Sequence, residues 1–310
     1  MTMATTIDPF IVRHAPVEPQ PVAPQLLRAR DSLRTALADL GKVPDAALEK
    51  PWPWRDEQED VRYGLFRQFE ALEGARGQVL AALARSSQTE SPARPMVGVA
   101  TATRWDLHGV LTGVSDADLD HDPGNGEWTI RQTLAHIVNG QRAYAWGTEV
   151  WLERRDAAVD DFPRRLPESL IADLPPEETE GVGTVAEIGR RLDDILDLSA
   201  GALGALDRDD LGVRARWSGI AVDVGFRLLR WSSHIREHIV QVEKTLGFIG
   251  RPTTEVERLL RLISAAYGRV EEDLFMRSSD EATEEALAIV ESVTGEIAAA
   301  APTVSAAAEA

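Results

Sequence analysis

The sequence predicts an all-α protein built around a four-helix bundle. Three observations predict it. Apolar residues recur at helical spacing through most of the 310 residues. Strand-like alternation is nearly absent. Four long helical stretches are joined by two short connections and one long crossover.

The elements follow in order. Residues 1–23 carry four prolines and little periodicity, and read either as an extended arm or as simple disorder. Residues 24–85 read as a helical hairpin: Leu26, Leu33, Leu37 and Leu40 share one face, and Val61, Leu65, Phe66, Phe69 and Leu72 form a second series. The polar stretch 86–95 holds two prolines and reads as a linker. The bundle is expected over 97–250. Its first helix spans 97–113, and a loop with Pro123, Gly124 and Gly126 follows. A long helix runs from Thr129 to Arg155. Residues 156–183 are too long for a tight turn and read as the crossover between the second and third helices. The third helix spans Thr184 to Leu206, with a short loop around Trp217 after it. The fourth spans Val222 to Phe248 and is closed by Gly247, Gly250 and Pro252. C-terminal helices are expected over 251–300, at 253–275 and 279–300. The alanine-rich last ten residues are expected to fray.

A weak repeat runs through this pattern. Val43-Pro-Asp-Ala-Ala-Leu-Glu resembles Val114-Ser-Asp-Ala-Asp-Leu-Asp, and Leu206-Asp-Arg-Asp-Asp-Leu is a looser copy. Each follows a helix and precedes a tryptophan (Trp54, Trp128, Trp217), after which a new helix begins. Acidic turns can also converge by composition alone, but here order and spacing recur as well as residue type.

Composition excludes several functions. A net charge of -18 repels phosphate backbones, so nucleic acid is not an expected partner. The absence of cysteine removes disulfides, thiolate metal sites and a cysteine nucleophile. The N-terminus lacks the form of a signal peptide. No stretch approaches the ~20 apolar residues that span a bilayer. The expectation is a cytoplasmic protein with a small-molecule partner and no membrane partner; a homodimer is open.

Three of the six histidines sit where a metal site would need them. His234 and His238 are four apart on the fourth bundle helix, which puts both imidazoles on one face, one turn apart. His136 lies within the second. Three neutral imidazoles suit a divalent ion and leave coordination positions open. The competing reading makes the pair surface residues and His136 a hydrogen-bonded core residue. His234-Ile-Arg-Glu-His238 also matches the H-x-x-E-H pattern of one class of zinc peptidase. There Glu237 would be the base, but it points about 100° away from the shared histidine face. The lack of strand signal also speaks against that architecture. His14, His108 and His121 lie in the arm, a helix and a loop; of these only His121 could approach the mouth of the site.

Trp128-Thr-Ile-Arg-Gln-Thr-Leu-Ala-His136 resembles the second-helix signature of DinB/YfiT-like proteins, and His234-Ile-Arg-Glu-His238-Ile-Val-Gln resembles their fourth-helix signature. The resemblance covers roughly residues 97–248. It implies a DinB-like four-helix bundle with a metal held by His136, His234 and His238 at one end. The chain departs from the family in length, with an extra N-terminal helix pair and extra C-terminal helices. In the first pair the tryptophan is present, but Arg62 stands eight residues on instead of histidine. That hairpin therefore reads as a degenerate, metal-free repeat.

The resemblance also implies chemistry. DinB-like proteins include mycothiol- and bacillithiol-dependent S-transferases and thiol-dependent isomerases. The expected function is a metal-dependent transferase that activates a low-molecular-weight thiol, such as mycothiol, as a metal-bound thiolate. Zinc is the expected metal, with nickel or iron as alternatives. A metal-dependent hydrolase and a non-catalytic small-ligand-binding or stress-related protein are the other readings. Gln132, Asn139, Tyr144 and Arg230 share helix faces with the histidines and are the candidate substrate-binding residues; no catalytic side chain is assigned.

Overall fold

The computed structural model describes residues 20–156, 162–166, 168–172 and 174–310. The arm expected over 1–23 falls almost entirely outside them. The long helices are α1 (Pro24–Leu40), α2 (Val61–Leu83), α3 (Arg94–Leu111) and α4 (Ile130–Glu153), followed by α5 (Val185–Leu203), α6 (Val224–Phe248), α7 (Glu255–Leu274) and α8 (Glu281–Glu309). The protein is all-α, as the periodicity predicts. Helix starts are fixed by local chemistry. Thr129, Thr184 and Thr254 are N-caps, and each forms a reciprocal capping box with the residue three positions on, Gln132, Glu187 and Glu257.

Chain contacts divide the molecule into two compact units. One is drawn from Glu90–Ala100 and Asp116–Thr245, the other from Val22–Thr89, Thr101–Ser115 and Leu246–Ala310. The N-terminal helix pair and the C-terminal helices, separate additions in the sequence, thus fall in a single unit. There α8 lies along α1 and α2, and α7 packs on α2. Leu26, Leu33, Leu65, Leu72, Leu260, Ile263, Val290 and Ile297 form its core.

The core of this second unit contains a fully buried carboxylate. Glu271 accepts hydrogen bonds from Arg30 Nη2 at 2.6 Å, Arg104 Nη2 at 2.7 Å and Trp105 Nε1 at 3.0 Å. Burial alone would raise the Glu271 pKa, but the Arg30 and Arg104 guanidiniums outweigh it and hold the carboxyl at about 2.

In the first unit, α4 packs on α5 and faces α6. Trp146, Trp151, Leu192, Leu196, Trp231 and Ile235 are buried there. The crossover ahead of α5 contributes one helical turn, Glu177–Glu180, that packs on α4. Arg142 Nε donates to the buried Glu180 at 2.7 Å, and Arg131 Nη1 donates to the carbonyls of Gly181 and Gly183. A long connection is thereby pinned to the helix that carries His136.

Three expectations are corrected. The segments around Trp54 and Trp217 are β-hairpins: β1 (Pro51–Trp54) pairs with β2 (Glu57–Asp60), and β3 (Arg214–Trp217) with β4 (Ile220–Asp223). Four-residue strands, one with two prolines, give too little alternation to register. Their turns require left-handed backbone: Arg55 has φ 55°, and Ser218 and Gly219 have φ 48° and 83°, the two-residue turn that suits strand twist. Asp60 and Asp223 then start α2 and α6 by accepting from the Tyr63 and Phe226 amides.

The C-terminus does not fray in the structure. Helix α8 continues through Pro302 to Glu309, with Ala301, Val304 and Ala308 buried. Alanine has the highest helix propensity, and these three side chains have a core to enter. By length and composition α8 could cross a membrane, contrary to the sequence expectation. Its apolar face is instead occupied by the core, and Arg28 and Gln25 of α1 bond to its Glu291 and Glu284.

Candidate metal centre

The capped start of α4 places His136 two turns into that helix, and Asp223 starts α6 so that His234 and His238 project toward it. His234 Nε2 lies 3.1 Å from His238 Nε2 and 3.3 Å from His136 Nε2. The ligand atoms of the three all lie within 4.8 Å of one another. A glycine permits this approach. A Cβ on Gly140 would sit 2.4 Å from His234 Cε1, so the ring occupies the space that any other residue would fill.

The outer ring nitrogens are held as metal ligands require. His136 Nδ1 is 3.0 Å from Glu177 Oε2, which also accepts from Asn139 Nδ2 at 3.1 Å. His238 Nδ1 is 2.8 Å from Gln241 Oε1. A carboxylate only accepts, so the His136 proton resides on Nδ1 and a lone pair on Nε2 faces inward. The Gln241 oxygen does the same for His238. Both lone pairs then meet His234 Nε2, which can carry one proton at most. A divalent cation satisfies all three donors together, and the residues therefore fit a metal.

Electrostatics favour the neutral rings that a metal needs. His234 is pushed down to about 3, first by burial and then by His238, His136 and Arg230. His238 is also lowered, again mainly by burial, although Gln241 opposes this. Aromatic rings complete the surround. Trp128 lies edge-on to His136 at 5.0 Å and near-parallel to His238 at 6.4 Å, while Tyr144 lies edge-on to His234 at 5.3 Å.

All three histidines open onto one cavity of about 640 Å³. That is the size of a small-molecule site, and the cavity leaves a face of the centre free for a ligand. Asn139, Tyr144 and Arg230 also line it. Arg230 pairs with Glu237 at 2.8 Å and lies over the Trp217 ring, so Glu237 is engaged by an arginine. Gln132 does not join them. It is exposed, and its Oε1 accepts from the Thr129 amide in the α4 capping box. His121 is exposed and does not line the cavity either.

Several residues escaped sequence reasoning. Glu177 sits in the crossover, where only an acidic run after Pro175-Pro176 hinted at it. Trp217 is a landmark of the repeat in the sequence, and in the structure its Nε1 donates to Tyr144 Oη at 3.2 Å in the cavity wall. No local sequence signal marks Arg227. It is buried, donates to Thr148 Oγ1 and to the Tyr144 and Arg216 carbonyls, and is pulled down to about 10 by that burial. Gly147 makes room for it as Gly140 does for His234: a Cβ there would lie 2.6 Å from Arg227 Nη2.

Fold and site together define an all-helical protein with a three-imidazole centre between two of its helices. Residues 100–242 match the family model described as DinB superfamily, and this part of the chain is DinB-like. All three histidines, Glu177 and Arg227 fall inside the match. No curated protein and no solved structure matches the chain.

Proposed function

We propose that the chain is a metal-dependent transferase that works with a low-molecular-weight thiol of the mycothiol kind. The observation that carries the reading is the convergence of three imidazole Nε2 atoms at the wall of an open cavity. His136, His234 and His238 would hold the ion, with zinc the first candidate and nickel or iron next. A bound divalent ion supplies Lewis acidity, which lowers the pKa of a thiol or water at the site.

The chain's own residues do the rest. Glu177 and Gln241 fix ring orientation through the Nδ1 atoms, so the inner nitrogens stay aimed at one point. Tyr144 and Trp217, hydrogen-bonded to each other, wall the cavity beside His234. The chain has no cysteine, so a sulfur nucleophile has to arrive with a small molecule. The DinB-like segment is what favours thiol transfer over hydrolysis.

The test is removal of metal by chelation, followed by assays of thiol transfer from a mycothiol analogue to 1-chloro-2,4-dinitrobenzene and of ester hydrolysis. Transfer lost on chelation and restored by zinc is the expected result. Transfer that survives full demetallation contradicts the proposal, and restored hydrolysis without transfer replaces it with the hydrolase reading.

A further inference from the structure

The cavity beside the histidines has a charge opposite to that of the molecule. The whole chain carries 33 Lys and Arg against 51 Asp and Glu. Yet Arg164, Arg165, Arg216, Arg227 and Arg230 all line this one cavity, and among the described residues Glu237 is the one acidic side chain that lines it. An acidic protein repels anions at long range, so such a cluster is a local device.

Arg227 is the centre of it. Buried guanidiniums are ordinarily paired with a carboxylate, because an isolated charge is costly to remove from water. The hydrogen-bond partners of Arg227 are neutral oxygens, the Thr148 hydroxyl and backbone carbonyls of Tyr144 and Arg216. Its donors are thus occupied in position while its charge is left without a counterion among the described residues. Arg216 is half-buried and is likewise held by neutral groups: its Nε donates to the Pro163 carbonyl and its guanidinium lies over the Phe162 ring. Arg230 pairs with a carboxylate, the exposed Glu237, and its own Nε is buried without a hydrogen bond among the described residues. The remaining wall is apolar and aromatic, including Trp146, Trp151, Trp217, Leu166 and Leu174.

We infer that this cavity is a subsite for a small organic carboxylate, with the carboxylate among Arg216, Arg227 and Arg230 and an aromatic or apolar body against Trp217 and Leu166. The inference names the substrate class of the proposed transferase and rests on that reading for its reaction, while the anion pocket itself needs no metal. Charge-assisted bonds from guanidinium to carboxylate are the strong ones, and arginine presents them in a fixed fork. The carboxylate would supply the counterion for Arg227 and anchor the reacting end of the molecule toward the three histidines, which line the same cavity.

Binding is read by tryptophan fluorescence on metal-free protein, titrated with benzoate, phenyl phosphate and benzamide. The same titrations are run on His136→Ala, Arg216→Ala and the exposed double variant Arg164→Ala/Arg165→Ala, each checked for fold by circular dichroism. Saturable benzoate binding is expected, retained in His136→Ala, absent for benzamide, and weakened about tenfold in Arg216→Ala and less in the double variant. Equal binding of benzoate and benzamide would overturn the inference, as would no saturation by either anion. Preference for phenyl phosphate over benzoate would overturn the carboxylate class. Loss of benzoate binding in a folded His136→Ala chain would place the anion on the histidines and also overturn it. Metal uptake without benzoate binding defeats the subsite alone; benzoate binding without metal uptake defeats the transferase and leaves the subsite.

Discussion

Helix α1, the first hairpin and α2 have a counterpart, element by element, in α5, the second hairpin and α6. The same spacing separates every pair of landmarks: Leu40 and Leu203 end the leading helices, Trp54 and Trp217 end the first strands, and Val61 and Val224 begin the following helices. Arg67 lies over Trp54 as Arg230 lies over Trp217. Leu65 and Leu228, and Leu72 and Ile235, are buried at matching positions. The contents differ where chemistry would lie. His234 and His238 stand where the first copy has Ala71 and Ala75, and Arg227 stands where it has Gly64. At Gly64 the space is taken by Trp52, 3.1 Å from where a Cβ would be. The comparison teaches that the frame is set by hairpin, cap and apolar face, whereas the site is set by a few substitutions on that frame. One unit points its polar side chains into an open cavity; the other closes its buried charges on themselves around Glu271.

This contrast can be broken from either side. The largest effect is expected from Glu271→Ala, which leaves Arg30 and Arg104 buried without a counterion and should cost about 3–5 kcal/mol in urea unfolding. Zinc affinity of the chain that stays folded is expected to hold, and joint loss of stability and affinity would show that the two units do not act separately. Next is Glu177→Ala, or Arg142→Ala acting through the Glu180 turn. Each should weaken metal binding by about 10- to 100-fold, measured by competition with a chromogenic chelator. Unchanged affinity in both would remove Glu177 from the site.

Glycine substitutions sharpen the same point. Gly140→Ala forces a Cβ into the His234 ring and should cost about 1–3 kcal/mol together with metal affinity. Gly74→Ala and Gly77→Ala in α2 meet nothing within 4 Å and should stabilise by up to about 1 kcal/mol each. A stabilising Gly140→Ala would contradict the packing described for His234.

Acid also separates the two units. His234 falls from its ordinary 6.5 to about 3 on folding, so below pH 6.5 the unfolded chain takes up a proton that the fold refuses. Metal-free protein should therefore lose stability as the pH drops from 6.5 toward 3. Glu271 falls from 4.5 to about 2, so its contribution is present above 4.5 and is lost only as the pH falls toward 2. Hydrogen exchange at about pH 5 should show α4 and α6 loosened while α1 and α7 stay protected. Equal loosening would count against the assigned environments.

The sequence made the frame legible because its signals are local. Thr129, Thr184 and Thr254 mark helix starts with their capping partners, and the apolar spacing of Leu26 to Leu40 marks a core face. The histidine pair was legible for the same reason, since four residues on a helix is one turn. What stayed hidden depends on contacts between distant segments. Glu177 reaches His136 only because Arg142 and Arg131 tie the crossover down. Gly140 and Arg227 acquire meaning only when α4 and α6 lie face to face. Gln132, judged by helix face alone, went to the site in the sequence reading, whereas its position at N3 commits it to capping. The last ten residues, read as frayed from composition, are held by Val304 and Ala308 in the core.

The most direct test of the account is the metal content of purified protein by elemental analysis, beside His136→Ala and His238→Ala. The account predicts about one zinc, nickel or iron per chain, lost in both variants while circular dichroism reports an intact fold. No metal in the fresh protein, and none taken up on titration, would contradict it and leave the three histidines as a structural cluster.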